Sequence, residues 1–438
     1  MNNFRSVVIS GFTWSALGQA THLIIHFVTA IWLARLLSPR EFGLIAMAMV
    51  FIGFAQIFKD LGFGWAIIHS QKIEERHLSS IFWLNLLTGL VLTIIFSLAA
   101  HPISVFYNEP TLFHLTLFLS LTFILSSGGM VQNALLTKAV DFRRLSIIGA
   151  TSFVVAASVA IIMAYIGLGV WSLAIQLVLG SALNTVLLWC YSPWRPQIIF
   201  DKSAVGQLAS FGLHLMGTRT LNYWVRRLDD LLIGKFIGSN ALGLYSRAYG
   251  LLMFPITNVS QVMSKVLFPS LSQIQNDKKR VKQTYLRVTR VIGMVTFPMM
   301  IGLFVTAEPF VLGLLGKQWV DIIFIIKAFS ILGLTQSIGS LVGNLYLSQG
   351  RADLQFKVGL FMKPIRLLGI LIGLKWGVYG VTMGVTVSSL INAYPTIRIA
   401  GGLVDMSFSE LIRSLRGVFI CSLIMGLLVY GFGFLLPG

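Results

Sequence analysis

The chain has 438 residues, of which 56% are apolar or aromatic and 11% charged, with a mean hydropathy of +0.83. Soluble domains carry roughly 25% charged residues. The balance here excludes a soluble enzyme, a disordered chain and a disulfide scaffold, and leaves an all-α polytopic membrane protein. The formal charge is +18, from 33 Lys and Arg against 15 Asp and Glu. In a chain this apolar the basic excess belongs to loops beside anionic lipid rather than to a nucleic-acid surface.

A spanning helix needs about 20 apolar residues. Apolar runs bounded by charge or turn signals predict thirteen helices. They lie near 7–34, 43–58, 79–100, 112–137, 147–166, 170–191, 209–236, 242–270, 288–307, 320–349, 358–375, 378–397 and 417–436. The first follows Met1-Asn2-Asn3-Phe4-Arg5 without a small-residue cleavage pattern, so it reads as a span and not as a removable signal peptide. The seventh, eighth and tenth are long, which predicts tilt or a break. Segment 271–290, with Asp277-Lys278-Lys279-Arg280 and Lys282, reads as a surface-lying linker with a basic face, or as a plain orientation signal. With the N-terminus inside, twenty Lys and Arg fall on inner segments and helix ends and five on outer ones, as the positive-inside rule requires. Trp32, Trp171, Trp319 and Trp376 then fall near outer ends, as an interfacial aromatic belt would. Cys190 and Cys421 lie in apolar runs with no metal-ligand spacing.

The second half of the chain repeats the first. Leu33-Ala34-Arg35-Leu36-Leu37 through Gly43-Leu44 and Ala48 matches Ile233-Gly234-Lys235-Phe236-Ile237 through Gly243-Leu244 and Ala248. Gly169-Val170-Trp171 matches Gly377-Val378-Tyr379, and Ser181 and Asn184 meet Ser389 and Asn392 at the same offset. Six spans per half is an even number, so both halves start on the same side and are parallel repeats, with a substrate site expected near the midplane between them. The domain reading is therefore an N-terminal six-helix lobe at 1–192, a cytoplasmic linker at 193–208, a C-terminal six-helix lobe at 209–405, and a linker with one extra transmembrane helix at 406–438.

Charges at bilayer depth cost about 2.5–3.5 kcal/mol or more each, so their presence needs a reason. The seventh span carries Arg219, Arg226, Arg227, Asp229 and Asp230, with Asn222 and Tyr223 between the first two arginines. Arg219 and Arg226 share a helix face. Arg226 is spaced to pair with Asp230 or Asp229. The repeat places Gln19, His22 and His26 of the first span over Arg219, Asn222 and Arg226. Both helices thus carry a polar stripe that lipid would exclude and a shared wet cavity would accept. Arg247, Lys265, Lys327, Lys363 and Arg366 add charge from later spans. A cationic cavity suits an anionic substrate, because arginine offers a planar fork of donors to phosphate or carboxylate. The competing structural reading makes Arg226 and Arg227 with Asp229 and Asp230 a neutral fastener between helices, and lets Lys265 and Lys363 snorkel to the interface. His22 and His26 could titrate, or simply be satisfied hydrogen-bonders. The chain holds neither a Walker loop nor a His-Glu-x-x-His motif, and no cofactor or metal is expected.

Leu36-Leu37-Ser38-Pro39-Arg40-Glu41-Phe42-Gly43-Leu44 followed by Phe58-Lys59-Asp60-Leu61-Gly62-Phe63 resembles the opening of bacterial polysaccharide flippases. So do Asp229-Asp230-Leu231-Leu232-Ile233-Gly234-Lys235, Leu242-Gly243-Leu244-Tyr245 with Ala248, Phe268-Pro269-Ser270-Leu271-Ser272 and Ser348-Gln349-Gly350-Arg351. Together they resemble the polysaccharide transport branch of the multidrug/oligosaccharidyl-lipid/polysaccharide exporter superfamily, and within it exporters of O-antigen and colanic-acid units. The resemblance implies twelve core helices in two lobes, often with two more at the C-terminus, where this chain has one. It implies flipping of undecaprenyl-diphosphate-linked oligosaccharide from the cytoplasmic to the periplasmic leaflet by alternating access. It places the pyrophosphate and sugar site at Arg219 and Arg226, with Arg247 as a further candidate. The implied partners are the lipid-linked oligosaccharide, membrane lipids, and the glycan polymerase and glycosyltransferases of the same pathway.

Two rivals remain. A cation or drug antiporter of the same fold predicts intramembrane carboxylates in the first lobe; spans one and three to six contain none, and Asp60 lies near the inner end of span two. A membrane enzyme needs a sizeable outer loop with acid/base pairs; the outer segments near 101–111 and 308–319 offer His101, Tyr107, Glu109 and Glu308.

Overall fold

The computed structural model describes residues 23–59, 63–69, 74–201, 220, 223–224 and 226–435. Among them the chain is helical, without strands, and divides into two compact units, Met1–Asn240 and Ala241–Gly438. In the first unit, the helices are α1 (Leu23–Leu36), α2 (Pro39–Lys59), α3 (Phe63–His69), α4 (Glu75–Tyr107), α5 (Thr111–Ser127), α6 (Met130–Lys138), α7 (Phe142–Tyr165), α8 (Val170–Tyr191) and α9 (226–236). The second unit holds α10 (Ser239–Gln273, entered from the first unit), α11 (Lys278–Val305), α12 (Ile322–Gly339), α13 (Val342–Ser348), α14 (Ala352–Gly373), α15 (Gly377–Gly402) and α16 (Phe408–Leu435). Among the described residues, seven helices are long and apolar enough to cross a membrane, or up to nine if each bent pair is one span. This is a multi-pass membrane protein.

Each predicted span coincides with helix in its described part. The breaks fall partly elsewhere. The eighth span bends by 41° within α10, and the tenth breaks between α12 and α13. The fourth, expected to be continuous, bends by 44° between α5 and α6, where Gly128-Gly129 interrupts the run. A Cβ on Gly129 would stand 2.9 Å from Leu188 and 3.2 Å from the Thr185 hydroxyl, so the bend lets α8 approach the backbone. The Thr185 hydroxyl and the Trp189 indole donate to Leu125 O (2.7 Å) and Gly128 O (2.7 Å), taking up carbonyls near the break.

Of segment 271–290, read as a surface-lying linker or as an orientation signal, the linker reading does not hold for residues 278–290. They are the first part of α11, capped by Asp277, whose carboxylate accepts from Arg280 N at 3.0 Å. Val281, Tyr285, Thr289 and Ile292 recur at helical spacing and are buried, so the charged turn continues the span inward. Trp319 also departs from the aromatic-belt reading: it is fully buried, whereas Trp32 and Trp376 are exposed.

The start of α2 follows from its sequence. Ser38-Pro39-Arg40-Glu41 is a capping box with proline at the first helical position. Glu41 accepts from Ser38 N (2.6 Å) and Ser38 Oγ (3.0 Å). The segment after α8 is strapped to the start of α4. Trp194 Nε1 donates to Glu75 (2.8 Å), and Gln197 N and Asp201 N donate to Ser79 (3.0 Å) and Ser80 (2.8 Å).

In the second unit α14 and α15 cross at their backbones. A Cβ on Gly369 would stand 2.6 Å from the Gly384 carbonyl oxygen, and one on Gly373 would collide with that of Gly380. These four glycines form two small-xxx-small faces, the pattern that lets membrane helices touch closely. Asn392 adds a cross-bond, donating to Met362 O at 3.1 Å.

Candidate functional site in the first unit

Helix α9 and the residues just before it are laid against α2 by an aromatic contact. Tyr223 Oη lies 2.7 Å from Val50 O and 3.1 Å from Met49 O, so its one hydrogen is shared between two α2 carbonyls. Gly53 leaves the room: a Cβ there would stand 2.6 Å from that oxygen. Trp224 packs on Phe54 with centroids 5.0 Å apart, and Phe51 touches both Trp224 (6.5 Å) and Tyr107 of α4 (5.9 Å). Aromatic pairs of this kind contribute about 0.5–1.5 kcal/mol each beyond their burial.

That contact sorts the charges of α9. Asp229 and Asp230 face inward and are buried, while Arg226 and Arg227 face outward. Arg227 Nη1 bonds Asp230 at 2.7 Å, and Asp229 accepts from Asp230 N at 3.2 Å. Arg226 is exposed and, among the described residues, has no ion-pair partner. The spacing allowed Arg226 to pair with either acid; the helix rotation fixed by Tyr223 and Trp224 gives Asp230 to Arg227 instead. Arg226 therefore keeps its donors for something else.

The far end of α9 is tied down by one carboxylate. Asn108 ends α4 in the left-handed region at φ 55°, which asparagine tolerates. The turn delivers Glu109 between Arg40 (3.2 Å) and Ser239 Oγ (2.7 Å). Lys235 donates to Phe106 O and sits over the Phe106 ring, 4.8 Å from its centroid.

The other predicted site residues are placed as follows. Gln19, His22, Arg219 and Asn222 lie outside the described residues, as do most of the seventh span before α9 and the side chain of Lys265. His26 is exposed on α1 and stacks on Phe153 of α7, ring centroids 4.2 Å apart. Arg247, Lys363 and Arg366 belong to the second unit. Arg247 lies on α10 and Arg366 on α14, each with its Nε shielded from solvent, and Lys363 is exposed on α14.

One polar cavity was not anticipated. About 140 Å³ opens among α2, α5 and α8, lined by Gln56, Lys59, Thr122, Ser126 and Ser181. Lys59 Nζ donates to Ser126 Oγ at 3.1 Å. In the sequence Lys59 appears only within the Phe58-Lys59-Asp60 motif and Ser181 only within the internal repeat. The signal available was the near-terminal lysine of α2 opposite the Ser126-Ser127-Gly128-Gly129 run. Among the described residues no group of three or more His, Cys, Asp or Glu could hold a metal ion.

Residues 32–324 match the family described as polysaccharide biosynthesis protein. The chain belongs to that family. It is 28% identical to the lipopolysaccharide biosynthesis protein WzxC of Escherichia coli (strain K12), across 100% of this chain and 89% of that relative. It is 27% identical to the teichuronic acid biosynthesis protein TuaB of Bacillus subtilis (strain 168), across 98% of this chain and 90% of the relative. The succinoglycan biosynthesis transport protein ExoT of Rhizobium meliloti (strain 1021) is 31% identical over 70% of this chain and 62% of its own length. Among solved structures, the lipid II flippase MurJ in an inward closed conformation superposes with a TM-score of 0.75 at 16% identity, covering 95% of this chain and 92% of that one. An inward-facing multidrug resistance transporter of the MATE family, in the MOP superfamily, follows at 0.67 and 13% identity, covering 90% and 96%. This polysaccharide biosynthesis family member therefore has the fold shared by MurJ and MATE transporters.

Proposed function

We propose that the chain is a flippase that moves undecaprenyl-diphosphate-linked oligosaccharide repeat units, of O-antigen, capsular or colanic-acid type, from the cytoplasmic to the periplasmic leaflet of the bacterial inner membrane. It works by alternating access, with the N-terminus cytoplasmic, and forms or breaks no covalent bond. The observation that carries the reading is Arg226: an exposed guanidinium on a helix of a membrane protein, left without an acid among the described residues because Arg227 takes Asp230. Within the seventh span that the sequence predicts, an unneutralised arginine is costly unless it meets water or an anion, and its donor fork fits a pyrophosphate. Family membership, the glycan pathways named for WzxC, TuaB and ExoT, and the fold of a lipid II flippase support the same substrate class. Arg219, Asn222, Tyr223, Gln19, His22 and His26 complete the proposed substrate-binding stripe, with Arg247 as a further contact. Asp229, Asp230, Arg227, Lys363 and Arg366 are candidates for the ion pairs that change between states. The proposed lobes are those of the duplication, 1–192 and 209–405, joined at 193–208, with 406–438 outside it. The proposed protein partners are the polymerase and glycosyltransferases of the pathway.

The test is made in cells whose own exporter has been deleted. Expression of the chain should restore surface glycan and clear lipid-linked repeat units from the cytoplasmic leaflet. Failure to restore export with any lipid-linked repeat unit, alongside restored resistance to a cationic drug, would favour the antiporter reading.

A further inference from the structure

Helices α11 and α16 run side by side in the second unit. Arg290 meets Ser414, a Cβ on Gly293 would stand 3.2 Å from Leu415, and one on Gly426 would stand 2.6 Å from Ile301. The pairings advance together along both helices, so the two are parallel. Beside this seam lies a groove of about 550 Å³. Arg290 and Arg413 stand at its start; Met294, Pro298, Cys421 and Met425 line the rest. The lined stretch of α16, Arg413 to Met425, is thirteen residues, twelve helical steps or about 18 Å. That is close to the hydrocarbon depth of one leaflet, half of roughly 30 Å.

The mouth is built for a negative charge. Arg290 Nε donates to Ser414 O at 3.0 Å and Nη2 to Ser414 Oγ at 3.1 Å, which holds the guanidinium across the groove and leaves Nη1 for another acceptor. Among the described residues Arg413 makes no hydrogen bond or ion pair. No carboxylate lines the groove, and the acid one turn earlier, Glu410, is engaged by Lys282 at 2.9 Å. Gly417 keeps the space below the arginines open: a Cβ there would meet nothing within 4 Å.

We propose that this groove binds an anionic glycerophospholipid of the surrounding membrane, with its phosphate on Arg290 and Arg413 and one acyl chain along Met294, Cys421 and Met425. The proposal borrows only the membrane-spanning placement of α11 and α16. It does not depend on what the protein transports.

The test uses the full chain in a Cys190→Ser background, which leaves Cys421 as the one thiol. The protein is reconstituted into vesicles of phosphatidylcholine alone or with phosphatidylglycerol, and alkylation of Cys421 by a membrane-permeant maleimide is timed. Phosphatidylglycerol is expected to slow the reaction. Adding Arg290→Gln and Arg413→Gln should raise the phosphatidylglycerol needed for equal protection about thirtyfold, the loss of two arginine charges at the membrane interface. Arg416→Gln removes the same charge from α16 outside the groove and should keep the protection. Arg290→Lys with Arg413→Lys should keep most of it, which guards against a glutamine variant that does not fold. Native mass spectrometry of the wild type should show a retained mass equal to phosphatidylglycerol. Equal alkylation in both vesicle types overturns the proposal. So does protection that survives the glutamine pair or is lost with Arg416→Gln, and so does a retained polyprenyl phosphate or second chain in place of the phospholipid. A chain that shows the protection but fails to flip glycan leaves the groove assignment standing.

Discussion

Removing the hydroxyl of Tyr223 should reverse the effect of adding a methyl at Gly53. In the wild type a Cβ on Gly53 would stand 2.6 Å from Tyr223 Oη, 3.3 Å from Cζ and 3.4 Å from Cε2. Alanine in place of a helical glycine gains about 1 kcal/mol of propensity, but overpacking of this kind costs about 1–3 kcal/mol. Gly53→Ala alone should therefore be net destabilising by up to about 2 kcal/mol. Tyr223→Phe alone loses a hydrogen bond to carbonyls that α2 already satisfies, about 0.5–1.5 kcal/mol. With the oxygen gone, the next atom lies at 3.3 Å, a contact the ring can relieve by a small shift. In the phenylalanine background Gly53→Ala should then be neutral or stabilising, a coupling of about 1–2 kcal/mol. The assay is thermal unfolding of the four proteins in detergent, followed by tryptophan fluorescence. For a unit of this length each kcal/mol shifts Tm by about 2–4 °C. Additivity of the two substitutions within about 0.5 kcal/mol would refute the packing of α9 on α2 through Tyr223.

Arg227→Gln should destabilise the first unit by about 1–2 kcal/mol, between the exposed and buried ion-pair limits, since Arg227 is half exposed and Asp230 is not. The exchange Arg227→Asp with Asp230→Arg should recover part of that in the same unfolding assay, and no recovery would count against the pair. Gly369→Val should abolish folded protein in the membrane, because its side chain meets the Gly384 backbone, whereas Gly402→Ala, with nothing within 4 Å, should leave abundance unchanged. Equal abundance of the two variants would contradict the α14–α15 crossing. Glu109→Gln removes the Arg40 ion pair and weakens the Ser239 bond, and should lower stability by up to about 1 kcal/mol without altering helix content by circular dichroism.

The helices were readable because a 20-residue apolar run has few alternatives in a membrane protein. The Ser38-Pro39-Arg40-Glu41 start was readable because a capping box is a local device. What the sequence left open depended on side-chain choice within one helix turn. Asp230 lies three residues from Arg227 and four from Arg226, and both spacings permit a pair. Only the seating of Tyr223 and Trp224 on α2 decides between them, and that contact spans more than 170 positions of sequence. The bend at Gly128-Gly129 is not legible from sequence, because glycine is common in continuous membrane helices. In 271–290 only the linker alternative fails, because the charges share their helix with Val281, Tyr285 and Thr289, which bury one face of it. Residue type and position place Trp319 in the aromatic belt, whereas its burial depends on tertiary packing.

The most direct measurement of the central claim is translocation by purified protein in proteoliposomes loaded with undecaprenyl-diphosphate-linked oligosaccharide, scored by the fraction of glycan reached by an impermeant glycosidase over time. Wild type should expose the inner-leaflet pool, and Arg226→Ala at equal reconstitution should slow this about tenfold or more, as loss of a charged contact worth about 1.5–3 kcal/mol implies. Arg226→Lys should fall between them. Wild-type rates in Arg226→Ala, or wild-type proteoliposomes no faster than empty ones, would contradict the account.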